Sequence, residues 1–252
     1  MLDFIDITNI LFFDIETAPA TPQYSDLDEA WQELWHIKAA QILKKPKEDI
    51  TDEDAAQVYE RAGIYAEFGR IVCISVGIFV RNKETGDLTV RLKSFASTDE
   101  AALLKDFSEL MVKHYNNADR QFMCGHNIKE FDVPYICRRM MIHQMPFPKM
   151  FDITGKKPWE TKHLLDTMDL WKFGDGKNYT SLKLLAATFG FPSPKDDIDG
   201  SQVGRIFHEE GDVERIAVYC EKDVVAVMQL MLRYKRMPLR LTIDGKVIAE
   251  ND

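Results

Sequence analysis

Ile10-Leu11-Phe12-Phe13-Asp14-Ile15-Glu16 is the stretch from which the fold is read. Four apolar residues in succession, with no polar alternation, predict a strand buried on both faces, the pattern of a central sheet strand. Pro19 and Pro22 end it. Side chains two apart in a strand share a face, so Asp14 and Glu16 project together from a strand end whose neighbours Phe12 and Phe13 are buried. Carboxylates held there repel each other unless one is protonated or a cation bridges them. An oxygen-rich set of this type suits Mg²⁺ or Mn²⁺. Asp-x-Glu alone is weak evidence, because a solvated strand end carries it as well. Asp212-Val213-Glu214 repeats the spacing on a predicted helix, where i and i+2 point apart.

Downstream of the strand, residues 23–68 turn charged and helical. Trp31, Leu34, Trp35, Ile37 and Ala40 recur at helical spacing, and Thr51 followed by Asp52, Glu53 and Asp54 makes a helix start. This predicts a helical insertion whose aromatic stripe packs inward. Residues 70–80 and 88–95, joined by Lys83-Glu84-Thr85-Gly86-Asp87, predict a hairpin. Ser97 or Thr98 caps a helix to about residue 115. Phe122-Met123-Cys124-Gly125 reads as a short buried strand running into a helix, residues 164–170 as another strand, 180–189 as a helix, and 211–236 as a long last helix stopped by Pro238. Hairpin pairing plus helical crossovers predicts one elaborated α/β domain over residues 1–252, a mixed sheet covered by helices.

The 252 residues are 45% hydrophobic and 29% charged, which excludes disordered and low-complexity classes. Lys and Arg number 32 against 41 Asp and Glu, a net charge of −9. That disfavours a wholly basic nucleic-acid clamp, but not a site where metal ions stand between carboxylates and phosphates. The four cysteines form no CxxC pair, so no zinc signature is present. The longest apolar stretch, 72–80, is too short for a bilayer and is interrupted by Ser75 and Gly77. Asp3 and Asp6 stand where a signal peptide needs basic residues, so the expectation is a cytoplasmic protein with no membrane partner.

Two further acidic groups matter in combination. Asn127-Ile128-Lys129-Glu130-Phe131-Asp132 puts Asp132 near the start of a helix after a buried strand, and Tyr219-Cys220-Glu221-Lys222-Asp223 puts a phenol and a carboxylate on one helix face. Tyr-x-x-x-Asp alone carries nothing, since Tyr24/Asp28 and Tyr115/Asp119 match it too. The ordered set resembles the three exonuclease motifs of the DEDD superfamily, in its tyrosine-bearing branch (DEDDy), as found in the proofreading domain of family B DNA polymerases. Phe68-Gly69-Arg70-Ile71-Val72-Cys73-Ile74-Ser75 and Asp197-Ile198-Asp199-Gly200-Ser201 are similar to segments of bacterial stand-alone exonucleases related to that domain.

This resemblance implies a ribonuclease H-like fold with a mixed five-stranded sheet, and 3′→5′ exonucleolytic release of nucleoside monophosphates with two divalent ions, Mg²⁺ or Mn²⁺. It puts Asp14, Glu16, Asp132 and Asp223 at metal-binding positions and Tyr219 at the position that orients the attacking water. The implied partner is a single-stranded DNA or RNA 3′ end, DNA favoured. Thr17, His126, Asn127 and Phe131 match positions that contact the strand. For Phe131 a core position, and for His126 a strand-end cap, account for the residues as well. Ser181-Leu182-Lys183-Leu184-Leu185 resembles a strand-binding motif but reads as an ordinary helix face. Lys156, Lys157, Lys162, Lys172 and Lys177 read as a solvated surface. Asp166 and Asp169 add carboxylates near the sheet. The insertion is longer than proofreading domains carry there. A catalytically silent nucleic-acid-binding module and a metal-dependent phosphoesterase on small nucleotides are the alternatives.

Overall fold

A computed structural model describes residues 2–176, 179–191, 198–238, 241–243 and 246–249. Strand β1 (Ile10–Pro19) runs through the middle of the sheet. On one side it pairs antiparallel with β2 (Gly69–Arg81), which pairs antiparallel with β3 (Leu88–Ala96). On the other side lie two short parallel strands, β4 (Phe122–Gly125) and β5 (Leu164–Asp166). These five form the expected mixed sheet. A hairpin of β6 (Leu241–Ile243) and β7 (Lys246–Ala249), not foreseen in the sequence, joins the β3 edge and brings the order to β5-β4-β1-β2-β3-β6-β7.

The insertion after β1 holds α1 (Glu29–Leu43) and α2 (Asp52–Gln57), the second started by Thr51 in a capping box with Asp54. Trp35, Ala39, Tyr24, Tyr59 and Phe68 give it a small core of its own. The expected inward stripe is only half there. Trp35 and Ala40 are buried, but Trp31, Leu34 and Ile37 are 41%, 49% and 41% exposed. Helix α1 covers one small cluster with a single line of side chains, so the flanking apolar residues face out.

Strand alternation sorts β1 onto two cores. Leu11, Phe13 and Ile15 pack under α3 (Glu100–His114) and α4 (Asp132–Ile142) with Leu104, Phe107, Val133 and Ile136. Phe12 packs on the other face with Phe79, Val224, Val227 and Met228 of α8 (Val213–Tyr234) and its surroundings, a face also lined by α5 (Thr167–Lys172) and α6 (Leu182–Phe189). Before α8 comes α7 (Val203–Arg205), which passes into a π-helical turn, Ile206–Glu210. Helix α8 lies close on β2: a Cβ at Gly77 would come within 2.8 Å of Met228 Sδ and Val224 Cγ1.

Two local expectations fail for one reason, an aspartate that captures backbone amides. The strand expected over 164–170 stops at Asp166, whose carboxylate accepts from the N–H groups of Met168 (3.0 Å) and Asp169 (3.4 Å) and starts α5 instead. The cap of α3 is Asp99, accepting from Ala102 N at 3.1 Å, while Ser97 Oγ accepts from Asp99 N at 2.9 Å.

Candidate active site

The site forms where β1 outruns its parallel neighbour. Pairing with β4 ends at Phe12↔Cys124, whereas pairing with β2 continues through Asp14↔Ser75 and Glu16↔Cys73 to a bulge between Glu16 and Thr17. Gly125 lets the chain turn sharply out of β4, since a Cβ there would lie 2.2 Å from Ile128 Cγ2 and 2.7 Å from the Phe13 carbonyl oxygen. The turn brings in α4, and Asp132 in its first turn takes the place of the missing strand by accepting from Ile15 N at 3.2 Å.

Asp14 and Glu16 share the face of β1 that meets the N-terminal half of α8. Cys220 of α8 reaches them, its Sγ donating toward Asp14 O (3.4 Å) and Oδ2 (3.6 Å). One ligand atom each from Asp14, Glu16 and Cys220 lie within 4.8 Å of one another. Burial raises the Asp14 carboxyl well above the usual range, and the negative charges of Asp132, Glu16 and Asp223 raise it further against the Cys220 thiol hydrogen bond. Glu16 is likewise raised, by burial first and then by Asp223, Cys73 and Asp132. Burial lifts Asp132 to about 7, against the pull of backbone N–H groups and with help from the Asp166 charge.

All four acids of the motif set thus act on one locus. Among the described residues, no Lys or Arg is among the groups that shift Asp14 or Glu16. Two adjoining carboxylates, Asp14 and Glu16, raised by burial and by negative neighbours, fit a divalent cation. Tyr219, half-buried, packs beside the Ile216–Cys220 cluster, one helical turn before Asp223 on the same face of α8.

The other residues singled out in the sequence have more local duties. The Thr17 hydroxyl hydrogen-bonds that of Tyr135, which donates to Gly63 O at 2.8 Å and ties the insertion to β1. Phe131 is half-buried against the main core, its ring 5.4 Å from that of Tyr135. His126 and Asn127 bond to the Tyr179-Thr180 stretch. Ser181 Oγ accepts from Leu184 N at 3.2 Å as the cap of α6, so the helix-face reading holds there. Lys172 pairs with Glu130 and Asp169, and Lys157 stands over the Trp159 ring. Lys177 and Asp197 lie outside the described residues.

Two residues contribute in ways that the sequence left unassigned. Asp166, buried at the end of β5, accepts from Asn127 N (2.9 Å) and Lys129 N (3.0 Å) as well as capping α5, so it braces the turn that delivers Asp132. Its signal was an acid following an apolar pair, read as strand. Asp169 instead pairs with Lys129 at 3.2 Å. Cys220 is buried and also touches Asp14.

Comparisons with known proteins agree with this architecture. No curated protein matches the chain. Among solved structures, the family B DNA polymerase from the hyperthermophilic archaeon Pyrobaculum calidifontis aligns over 90% of this chain with a TM-score of 0.52 at 18% identity. The chain spans 24% of that polymerase's length, and the likeness identifies the fold as ribonuclease H-like. No helix among the described residues is long and apolar enough to cross a membrane. The matching family profile covers residues 64–250, beginning after the Asp14–Glu16 strand. The chain belongs to that family, described as predicted 3′-5′ exonucleases related to the exonuclease domain of PolB.

Proposed function

We propose that the protein hydrolyses a single-stranded nucleic acid, DNA by preference, from its 3′ end, releasing nucleoside monophosphates with the help of two divalent ions, Mg²⁺ or Mn²⁺. The observation that carries this reading is the convergence of the negative charges of Asp14, Glu16, Asp132 and Asp223 on one locus, where burial and acidic neighbours raise both Asp14 and Glu16. Family membership supports the reaction class.

In this reading Asp14 and Glu16 from β1, Asp132 from α4 and Asp223 from α8 hold the ions. Ions bound there would lower the pKa of an attacking water and stabilise charge on the leaving 3′ oxygen. The chain's own part is to keep the acids in place. Ile15 N–H fixes one Asp132 oxygen, and the buried Phe12, Phe13 and Ile15 close the floor against bulk water. Tyr219 orients the attacking water through its hydroxyl from the same helix face as Asp223. Cations bound there would favour the ionised form of carboxyls that burial otherwise raises.

A 5′-labelled oligonucleotide and a mononucleotide, each incubated with Mn²⁺, test the proposal. A ladder of products shortened from the 3′ end, abolished by EDTA, is expected. Shortening from the 5′ end, activity indifferent to EDTA, turnover of the mononucleotide alone, or silence on both substrates overturns it. The last two outcomes point to a small-nucleotide phosphoesterase and to a binding module.

A further inference from the structure

The two residues that leave β4, His126 and Asn127, both reach across to the same dipeptide. His126 Nε2–H donates to the Thr180 carbonyl at 2.9 Å, with its Nδ1 2.9 Å from Thr167 Oγ1. Asn127 Nδ2 donates to the Tyr179 hydroxyl at 3.0 Å. Their own backbone is braced: Asn127 sits at φ 67° and its N–H is held by Asp166 at 2.9 Å. Asparagine tolerates this left-handed conformation, and the bond to Asp166 fixes it. The His126 Nε2–H and Asn127 Nδ2 donors are thus committed to Tyr179-Thr180, while Asn127 Oδ1 has no hydrogen-bond partner among the described residues.

Among the described residues, Tyr179 is tied through its tip. The phenol oxygen is tied to Asn127, yet the residue is 68% exposed. Burial of the hydroxyl end raises its pKa, and the negative charges of Glu130, Asp166 and Asp132 act on it too, so it stands beside the acidic site. A largely exposed ring tied at its hydroxyl, at the rim of a site for a strand end, suits an unpaired base: stacking accepts any base and needs no readout. We infer that Tyr179 is a stacking platform for an unpaired base at or next to the 3′ terminus, and that His126 and Asn127 are positioning residues that act through it.

The inference rests on the exonuclease reading for its ligand, but the two fail separately. The probe is an oligothymidylate carrying 2-aminopurine at the 3′-terminal or penultimate position, bound to the full chain with Ca²⁺ in place of the catalytic ion. Wild-type protein should quench the fluorophore at one of these positions. Tyr179→Ala should abolish the quench and weaken binding by about 5- to 150-fold. Tyr179→Leu, which keeps the bulk and guards against a folding artefact, should behave like Tyr179→Ala. Tyr179→Trp should restore both quench and affinity. Asn127→Ala should weaken binding in the wild-type background and change little in a Tyr179→Ala background. Unaltered quench and affinity in Tyr179→Ala overturn the platform, and additive losses in the double variant overturn the positioning role. A 3′-end ladder from wild type with no effect of Tyr179→Ala leaves the exonuclease reading standing without the platform. A Tyr179-dependent quench without any ladder does the reverse.

Discussion

Buried acid is treated in two opposite ways in this molecule. Glu100, 3% exposed at the start of α3, is fully partnered: Ile71 N donates to Oε1 at 2.7 Å, Arg139 Nε to Oε1 at 2.8 Å, and His143 Nε2 meets Oε2 at 2.8 Å. Arg139 Nη2 adds a bond to Oε2 at 2.5 Å. Burial alone would raise this carboxyl, but the Arg139, His143 and Ile71 bonds outweigh it and hold it below the usual range. Glu16, 8% exposed on β1, meets no hydrogen-bond donor among the described residues, and its neighbouring charges are negative. Burial is comparable, so exposure does not separate the two. Compensation does: cationic and amide donors hold Glu100 as part of the scaffold, whereas the charges that act on Glu16 are negative.

The largest expected effect divides the two on activity. Asp14→Asn should cut the exonuclease rate on the order of 10⁴-fold or more, the scale of losing one member of a catalytic unit, while leaving the fold as stable as wild type or more so. Initial rates on a 5′-labelled oligonucleotide, with urea melts on the same samples, check it. A variant that is both inactive and destabilised breaks the contrast.

Glu100→Gln should do the reverse. It leaves the buried Arg139 guanidinium without its carboxylate, which costs about 3–5 kcal/mol of unfolding free energy, and should spare the rate per folded molecule. Urea denaturation measures the loss. A stability change below about 1 kcal/mol would reduce the pair to the rank of surface ion pairs.

Third in size is the response to the ion. Mn²⁺ at about 100 times its dissociation constant should stabilise the wild type by about 2.7 kcal/mol, and by much less in Asp14→Asn. Thermal melts with and without EDTA read this. Equal shifts in both proteins would mean that the ions bind elsewhere.

The smallest effect concerns pH. A carboxyl raised in the folded state binds more protons there than in the unfolded chain, so its contribution is present at low pH and lost as pH rises through the folded value. For Asp132 that window runs from the ordinary aspartate range up to about 7. Glu100 is lowered, so its contribution is present at neutral pH and lost on acidification below the ordinary glutamate range. Metal-free Asp14→Asn should therefore gain on wild type between pH 5 and pH 8, by about 1.4 kcal/mol for each unit of raised pKa that it relieves. Parallel pH curves for the two proteins would show that the acids carry no strain.

What could be read from the sequence follows from how local its causes are. The apolar run of β1, the 3.6-residue pattern of α8 and the i, i+2 and i, i+4 rules were enough to place Asp14 with Glu16 and Tyr219 with Asp223. Features set by distant partners stayed hidden. Nothing around residue 166 says that its carboxylate will collect amides from a loop almost forty residues upstream, and this capture turned an expected strand into a helix cap. Nor does anything around Glu100 announce that Arg139 and His143 will reach it from α4 and its end. The exposed residues of α1 are legible as helical but not as outward-facing, because their orientation depends on how small a cluster the helix covers. Short β6 offers too few residues for a periodicity to show.

The bond from Ile15 N–H to Asp132 bears on how the proposed activity could be lost in a lineage. Asp14 and Glu16 impose a cost on the fold, so a lineage released from the need for catalysis could discard either at once, with a gain in stability. Asp132 also serves as a backbone partner for β1, and an apolar replacement would orphan a buried amide. A degenerate descendant should thus shed the strand acids first and keep an acceptor, Asp or Asn, at position 132. Its sequence would record the order in which the function was lost.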